Sequence, residues 1–157
     1  MLKALMAALS QQDREQFLAE PHIAALSVVA GSERGPFTLP IWYQYRPGEE
    51  AWILTEAESK KSRLIREAGR FSLMVNRIMP TNRYVSVEGP VSRVISTTPD
   101  LLLEITQRYL PDEQVQAYLD LASTFGRQIV VYMRPQRWLT GELGPGHVPP
   151  GAQLCGI

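Results

Sequence analysis

Apolar and polar positions alternate with a period of two through much of the middle of this 157-residue chain. In Arg83-Tyr84-Val85-Ser86-Val87-Glu88 the valines alternate with Tyr, Ser and Glu, so one face of a strand meets a core and the other faces solvent, a ligand or a subunit. Segments 24–30, 37–45, 51–55, 71–76, 83–95 and 128–133 all have strand character. GSERG at 31–35 and RPGEE at 46–50 carry the Gly and Pro punctuation of hairpin connections, which predicts an antiparallel meander for the first three strands. Gly89-Pro90 predicts a bend or bulge inside the fifth.

Helices interrupt this pattern. MLKALMAAL predicts the start of a helix that continues through Phe17 and Leu18 on an amphipathic face. Further helices are predicted over 59–68, ending at Gly69, over 99–109, opened by Thr98-Pro99-Asp100, and over 112–122, after Pro111. The last two form a helical hairpin. Six antiparallel strands with few helices give a mainly β (α+β) class and favour a small closed or split barrel over a parallel doubly wound sheet. With no internal repeat or linker, 1–143 reads as one domain. Residues 144–157, GPGHVPPGAQLCGI, read as a mobile or draped Gly/Pro-rich tail.

Composition narrows the function classes. Hydrophobic residues make up 45% and charged residues 20%, with 16 Asp plus Glu against 16 Lys plus Arg. That balance offers no global attraction to nucleic acid or an anionic membrane and leaves room only for a local basic pocket. The single cysteine, Cys155, excludes a disulfide framework within one chain and makes a reducing cytoplasm the expected location. No apolar run approaches the roughly 20 residues that span a bilayer.

The local basic pocket has a candidate. Ser59 is a plausible N-cap, which puts Lys60 and Lys61 at the first two helical positions, where the helix dipole disfavours cations by roughly 0.3–1 kcal/mol each. A bound phosphate would use the free N–H groups and the lysines together. The other reading has Glu56 and Glu58 neutralising the lysines on a solvated helix face, and spacing alone leaves both open.

No conventional catalytic centre assembles elsewhere. His22 and His147 sit near opposite ends of the chain, and there is no His-Glu-x-x-His pattern, cysteine pair or GxxxxGK loop. An enzyme without such groups can still work if a cofactor carries the reaction, the protein then supplying orientation and electrostatics. Pro40 removes a ladder donor from its strand, which suits either a protected edge or backbone left free for a ligand. Trp42 and Trp52 read as core or interface aromatics, Met74 and Met79 as gap-fillers, and Arg66, Arg108 and Tyr109 as solvated helix positions. Glu88, a lone carboxylate, is given no catalytic role.

Pro40-Ile41-Trp42-Tyr43, the Thr-x3-Ser-x-Lys-x-Arg pattern from Thr55 to Arg63, Arg70-Phe71-Ser72-Leu73 and Arg83 to Gly89 together resemble the pyridoxamine 5′-phosphate oxidase-like FMN-binding split-barrel family. The resemblance is strongest to its branch of F420-dependent, or flavin/deazaflavin-dependent, oxidoreductases. Arg134-Pro135-Gln136-Arg137-Trp138 followed by Gly141-Glu142-Leu143-Gly144 resembles that branch's C-terminal strand, and the match covers roughly 12–144.

The resemblance implies a six-stranded split barrel that forms a homodimer, with cofactor in a groove between the subunits. It implies that Ser59, Lys61 and Arg63, with Lys60 beside them, hold the cofactor phosphate. Pro40, Ile41 and Trp42 would flank the ring system, and Thr55 and Asn76 would lie near its polar edge. Trp138 would approach from the end of the last strand, from the same or the second subunit. The expected activity is hydride transfer between F420 or FMN and a small conjugated acceptor, with F420 slightly preferred. A non-catalytic binding protein for FMN, F420 or another phosphorylated ligand is the alternative. A single-strand nucleic-acid binder using Lys60, Lys61, Arg63, Arg83 and Tyr84 is disfavoured by the neutral charge.

Overall fold

A computed structural model describes residues 7–143, so the 144–157 tail, with His147 and Cys155, lies outside the described residues. Ser10 caps helix α1 (Gln11–Ala19) by accepting the Asp13 N–H, and the helix therefore begins after MLKALMAAL rather than within it. Ala7 instead pairs with Glu142 through two backbone hydrogen bonds, of 3.1 and 2.9 Å.

The chain continues through β1 (Ala24–Val28), β2 (Phe37–Ile41), β3 (Tyr43–Gln44), β4 (Ala51–Glu56), α2 (Lys60–Ala68), β5 (Arg70–Arg77) and β6 (Asn82–Ser96). Helices α3 (Pro99–Tyr109) and α4 (Asp112–Ala122) follow, then β7 (Gln128–Met133) and β8 (Arg137–Leu143). The described residues thus hold eight strands where the pattern predicts six. The stretch 37–45 divides at Trp42, and β8, recognised only through its resemblance to a C-terminal strand, adds another.

The strands run in the order β2-β1-β5-β6-β7-β4-β3, with β8 paired to β6, and every pairing is antiparallel. Strands β2 and β3 stand at opposite ends of this order yet only Trp42 separates them in sequence. The sheet must therefore curl until its ends approach, which makes the half-barrel. It also corrects the expected meander: β1–β2 and β3–β4 are hairpins, but the residue between them carries the chain from one end of the sheet to the other.

Strand β6 joins the two halves. Its first half pairs with β5 and β8, its second with β7, and the register slips between Val91 and Arg93. The change of partner follows Pro90, and the irregularity lies just beyond the Gly89-Pro90 pair at which a bend or bulge is expected. A Cβ on Gly89 would lie 1.8 Å from the Arg134 carbonyl oxygen, so only glycine lets the chain leaving β7 pass this close.

Alternation sets the core. Val85 and Val87 are buried in the barrel with Leu26, Tyr43, Ile53, Phe71 and Val131, whereas Ser86 and Glu88 look outward. Each such aliphatic side chain contributes about 1.5–3 kcal/mol on burial. A second cluster of Trp52, Ile105, Val130 and Tyr132 forms where α3 covers the outside of β4 and β7, with Trp42, Leu54 and Tyr109 against it. Met74 and Met79 fill no gap; they lie on the outer face of β5 and in the following turn, where alternation leaves them exposed.

Arg108 and Tyr109 also depart from expectation, because α3 turns them inward. Arg108 donates to the carbonyls of Ala19 and Glu20, both at 2.7 Å, satisfying acceptors that the end of α1 leaves free.

Candidate functional site

The end of β4 and the start of α2 are fastened by side-chain hydroxyls. Ser59 Oγ accepts the Ser62 N–H at 3.1 Å, lies 3.2 Å from Thr55 Oγ1, and its carbonyl accepts the Arg63 N–H. Thr55 is buried, so its oxygen braces this cap. With Ser62 and Arg63 satisfied, helix geometry leaves the N–H groups of Lys60 and Lys61 without intrahelical partners.

The first turn of α2 contains no acidic residue. Glu58 turns away to Arg127, 3.8 Å distant, and among the described residues neither lysine forms an ion pair. Lys60 instead places its ammonium 5.2 Å from the centre of the Phe37 ring on β2. Lys61 is half-buried; desolvation pushes its pKa below the ordinary lysine value, and the charge of Glu56 opposes that only in part. Beside it, Ser62 Oγ is fully buried with no hydrogen-bond partner. A desolvated cation and two N–H groups without intrahelical partners at one helix start form a donor-only set, which suits a phosphate oxyanion, with the buried Ser62 hydroxyl behind them. Arg63, exposed on the same helix, adds a further cation.

The Pro40–Trp42 segment lies farther along the same strand that carries Phe37. Strand β2 ends the sheet, so Pro40 takes the edge position its missing N–H requires. At the break after Ile41, the Trp42 indole stacks on Tyr109 with ring centres 4.9 Å apart and planes within 10°. Tyr118 of α4 tilts against the same indole, with ring centres 5.2 Å apart. The Tyr109 hydroxyl accepts the Tyr43 N–H at 3.1 Å and donates to the His22 carbonyl at 2.7 Å. Between these elements is a cavity of about 310 Å³ whose walls include Pro40, Ile41, Trp42, Leu54, Ile105 and Tyr118.

Thr55, Ser59, Lys60, Lys61 and Arg63 thus gather at the start of α2, joined to Pro40, Ile41 and Trp42 through β2. Asn76 and Trp138 are not brought to this group. Asn76 is exposed on β5 opposite Tyr84, and Trp138 packs beside Tyr45 with the Arg14 guanidinium 4.5 Å from its ring. The pattern missed Ser62, Tyr109 and Tyr118. Ser62 sits three residues past its cap, a position visible in the sequence, but its orphaned state depends on what packs over it; the tyrosines enter through α3 and α4.

No family model matches the chain, and no curated protein matches it. Solved structures do. A conserved hypothetical protein from Mycobacterium tuberculosis shares 21% identity, with 96% of this chain and 94% of that one covered at a TM-score of 0.68. An F420 reductase shares 20%, covering 80% and 94%, with a TM-score of 0.63. A candidate pyridoxamine 5′-phosphate oxidase from Listeria innocua shares 10%, covering 83% and 96%, with a TM-score of 0.55. With two half-sheets joined through β6, the chain has the fold of the pyridoxamine 5′-phosphate oxidase-like split barrels, the fold that its sequence motifs resemble.

Proposed function

We propose that this chain is a cofactor-dependent oxidoreductase that moves a hydride between F420 or FMN and a small conjugated acceptor. The observation that carries this reading is Lys61, a half-buried cation without an ion pair among the described residues, at the start of a helix whose first turn holds no acidic residue. Holding a charge there costs free energy that a phosphate would offset. The likeness to an F420 reductase supports the slight preference for F420.

Lys61, Lys60 and Arg63 hold the phosphate, with Ser59 fixing the helix start and Thr55 bracing it. The backbone of Pro40, Ile41 and Trp42 orients the ring, and apolar walls exclude water from the transfer. When bound, the flavin or deazaflavin ring supplies the hydride chemistry, so no side chain need be a nucleophile.

A homodimer in the cytoplasm belongs to this reading, with the cofactor groove at the subunit boundary. Pro40, Ala25, Met74, Ser86 and Leu139 follow one another across neighbouring strands on the outer face, and Leu139 is 65% exposed. A second copy covering this row would bring its Trp138 strand toward the groove, with Asn76 one row away.

The test is a parallel fluorescence titration of the protein with F420, FMN and riboflavin. Tight binding of a phosphorylated cofactor, much weaker for riboflavin, supports the site, and turnover with an acceptor separates an enzyme from a binding protein. Binding of neither cofactor overturns the reading.

A further inference from the structure

The cavity behind the Pro40–Trp42 segment has a chemistry unlike the α2 start. Among the described residues no charged side chain lines it, and Tyr118 carries the one side-chain hydroxyl of the lining. At about 310 Å³ it lies at the lower end of the range for small-molecule sites, suited to one or two fused rings. One face of its Trp42 wall is held by the Tyr109 ring, and Tyr109 is itself fixed by its bonds to Tyr43 and His22. The wall is therefore formed before anything binds, which lowers the ordering cost of binding.

A flavin or deazaflavin ring fits this chemistry poorly. Its pyrimidine edge carries two carbonyls and an N–H that need partners, and among the side chains of this lining only Trp42 and Tyr118 carry a polar atom. A neutral aromatic molecule with one polar substituent matches it: flat walls, no charge, and two side-chain donors, the Tyr118 hydroxyl and the Trp42 indole N–H.

We propose that this cavity is the acceptor site, taking a flat, neutral, conjugated molecule of one or two rings beside Trp42, with the Tyr118 hydroxyl donating a hydrogen bond to its polar substituent. The assignment rests on the oxidoreductase reading, since it gives the acceptor a place apart from the phosphate. Burial holds the Tyr118 phenol above the ordinary tyrosine value, which keeps it a donor near neutrality.

Equilibrium dialysis of the full chain against 1-nitronaphthalene and its anionic analogue 4-nitro-1-naphthoate tests the proposal. The neutral probe is expected to bind, and the anion to bind more weakly by about tenfold or more, since the cavity offers no cation. Leu54→Trp, which fills the cavity, is expected to cut neutral-probe binding by about tenfold or more while leaving F420 or FMN affinity unchanged. Tyr118→Phe keeps the shape and is expected to cost about threefold to tenfold. Equal binding of the two probes, or an unchanged affinity in folded Leu54→Trp or in Tyr118→Phe, would overturn the assignment. Loss of cofactor and probe together in folded Leu54→Trp would also overturn it, because the cavity would then seat the ring. Cofactor binding without probe binding overturns the acceptor site alone; probe binding without either cofactor overturns the oxidoreductase reading and the acceptor role with it.

Discussion

The Tyr109 hydroxyl lies 3.1 Å from the Tyr43 backbone nitrogen, so a side chain of α3 takes the place of a strand neighbour where β2 gives way to β3. It accepts the Tyr43 N–H and donates to the His22 carbonyl, closing two backbone groups that the break would strand. Tyr109→Phe keeps the stack on Trp42 and removes only the hydroxyl. The expected cost is about 1–3 kcal/mol, the penalty of an unsatisfied buried donor, read as a lower urea midpoint with unchanged slope. An unmoved midpoint would mean that water takes the hydroxyl's place.

Two glycines separate close approach from backbone conformation. Gly89→Ala puts a methyl 1.8 Å from the Arg134 carbonyl oxygen, a contact with backbone that no rotamer change relieves. It is expected to cost on the order of 3 kcal/mol, since one half of the sheet must shift. Gly69 closes α2 with φ of 70° and meets nothing within 4 Å, so Gly69→Ala should cost about 1–2 kcal/mol, the left-handed penalty alone. Equal losses in thermal or urea unfolding would contradict this division.

Lys61 gives a pH signature. Burial disfavours its charged form in the folded protein, so the stability this group contributes is present above the ordinary lysine value of 10.5 and is lost as pH falls through its lowered pKa. At neutral pH, Lys61→Met should therefore raise the urea midpoint of the free protein while weakening the phosphorylated cofactor. Lys61→Ala should cost about 1.5–3 kcal/mol of cofactor affinity, with riboflavin unaffected. In the wild-type chain, affinity for FMN should fall below about pH 6, where its phosphate monoester loses its second charge. It should fall again as Lys61 deprotonates, at a pH below 10.5. A flat titration across both limbs would remove Lys61 from the site.

How much of this could be read from the residues depends on how local each cause is. Strands 51–55 and 128–133 match β4 and β7 to within one residue, because alternation and turn residues act over short distances. The start of α2 was legible too: Ser59 as cap and two cations at the wrong end of a dipole are local facts. The division at Trp42 was not, since the hydroxyl that takes up the Tyr43 N–H beyond the break belongs to a tyrosine of α3, 66 positions away. Arg108 read as solvated for the same reason, its carbonyl partners lying at the end of α1. Strand β8 hid behind Arg137, Gly141 and Glu142, which blur its alternation. The cavity needs β2, β4, α3 and α4 at once, so no window of the sequence contains it.

Ser62 separates fold from ligand at the start of α2. Its hydroxyl is buried without a partner, which destabilises the free protein relative to a residue with nothing to satisfy. Alanine fits the same space with higher helix propensity, so Ser62→Ala should raise stability by about 0.5–1.5 kcal/mol in urea unfolding. If the hydroxyl is kept for a phosphate, the same change should weaken F420 or FMN by a comparable amount and leave riboflavin alone. A variant that is more stable and binds the cofactor as before would show that Ser62 serves no ligand, and the phosphate would then depend on Lys60, Lys61, Arg63 and the free N–H groups of α2.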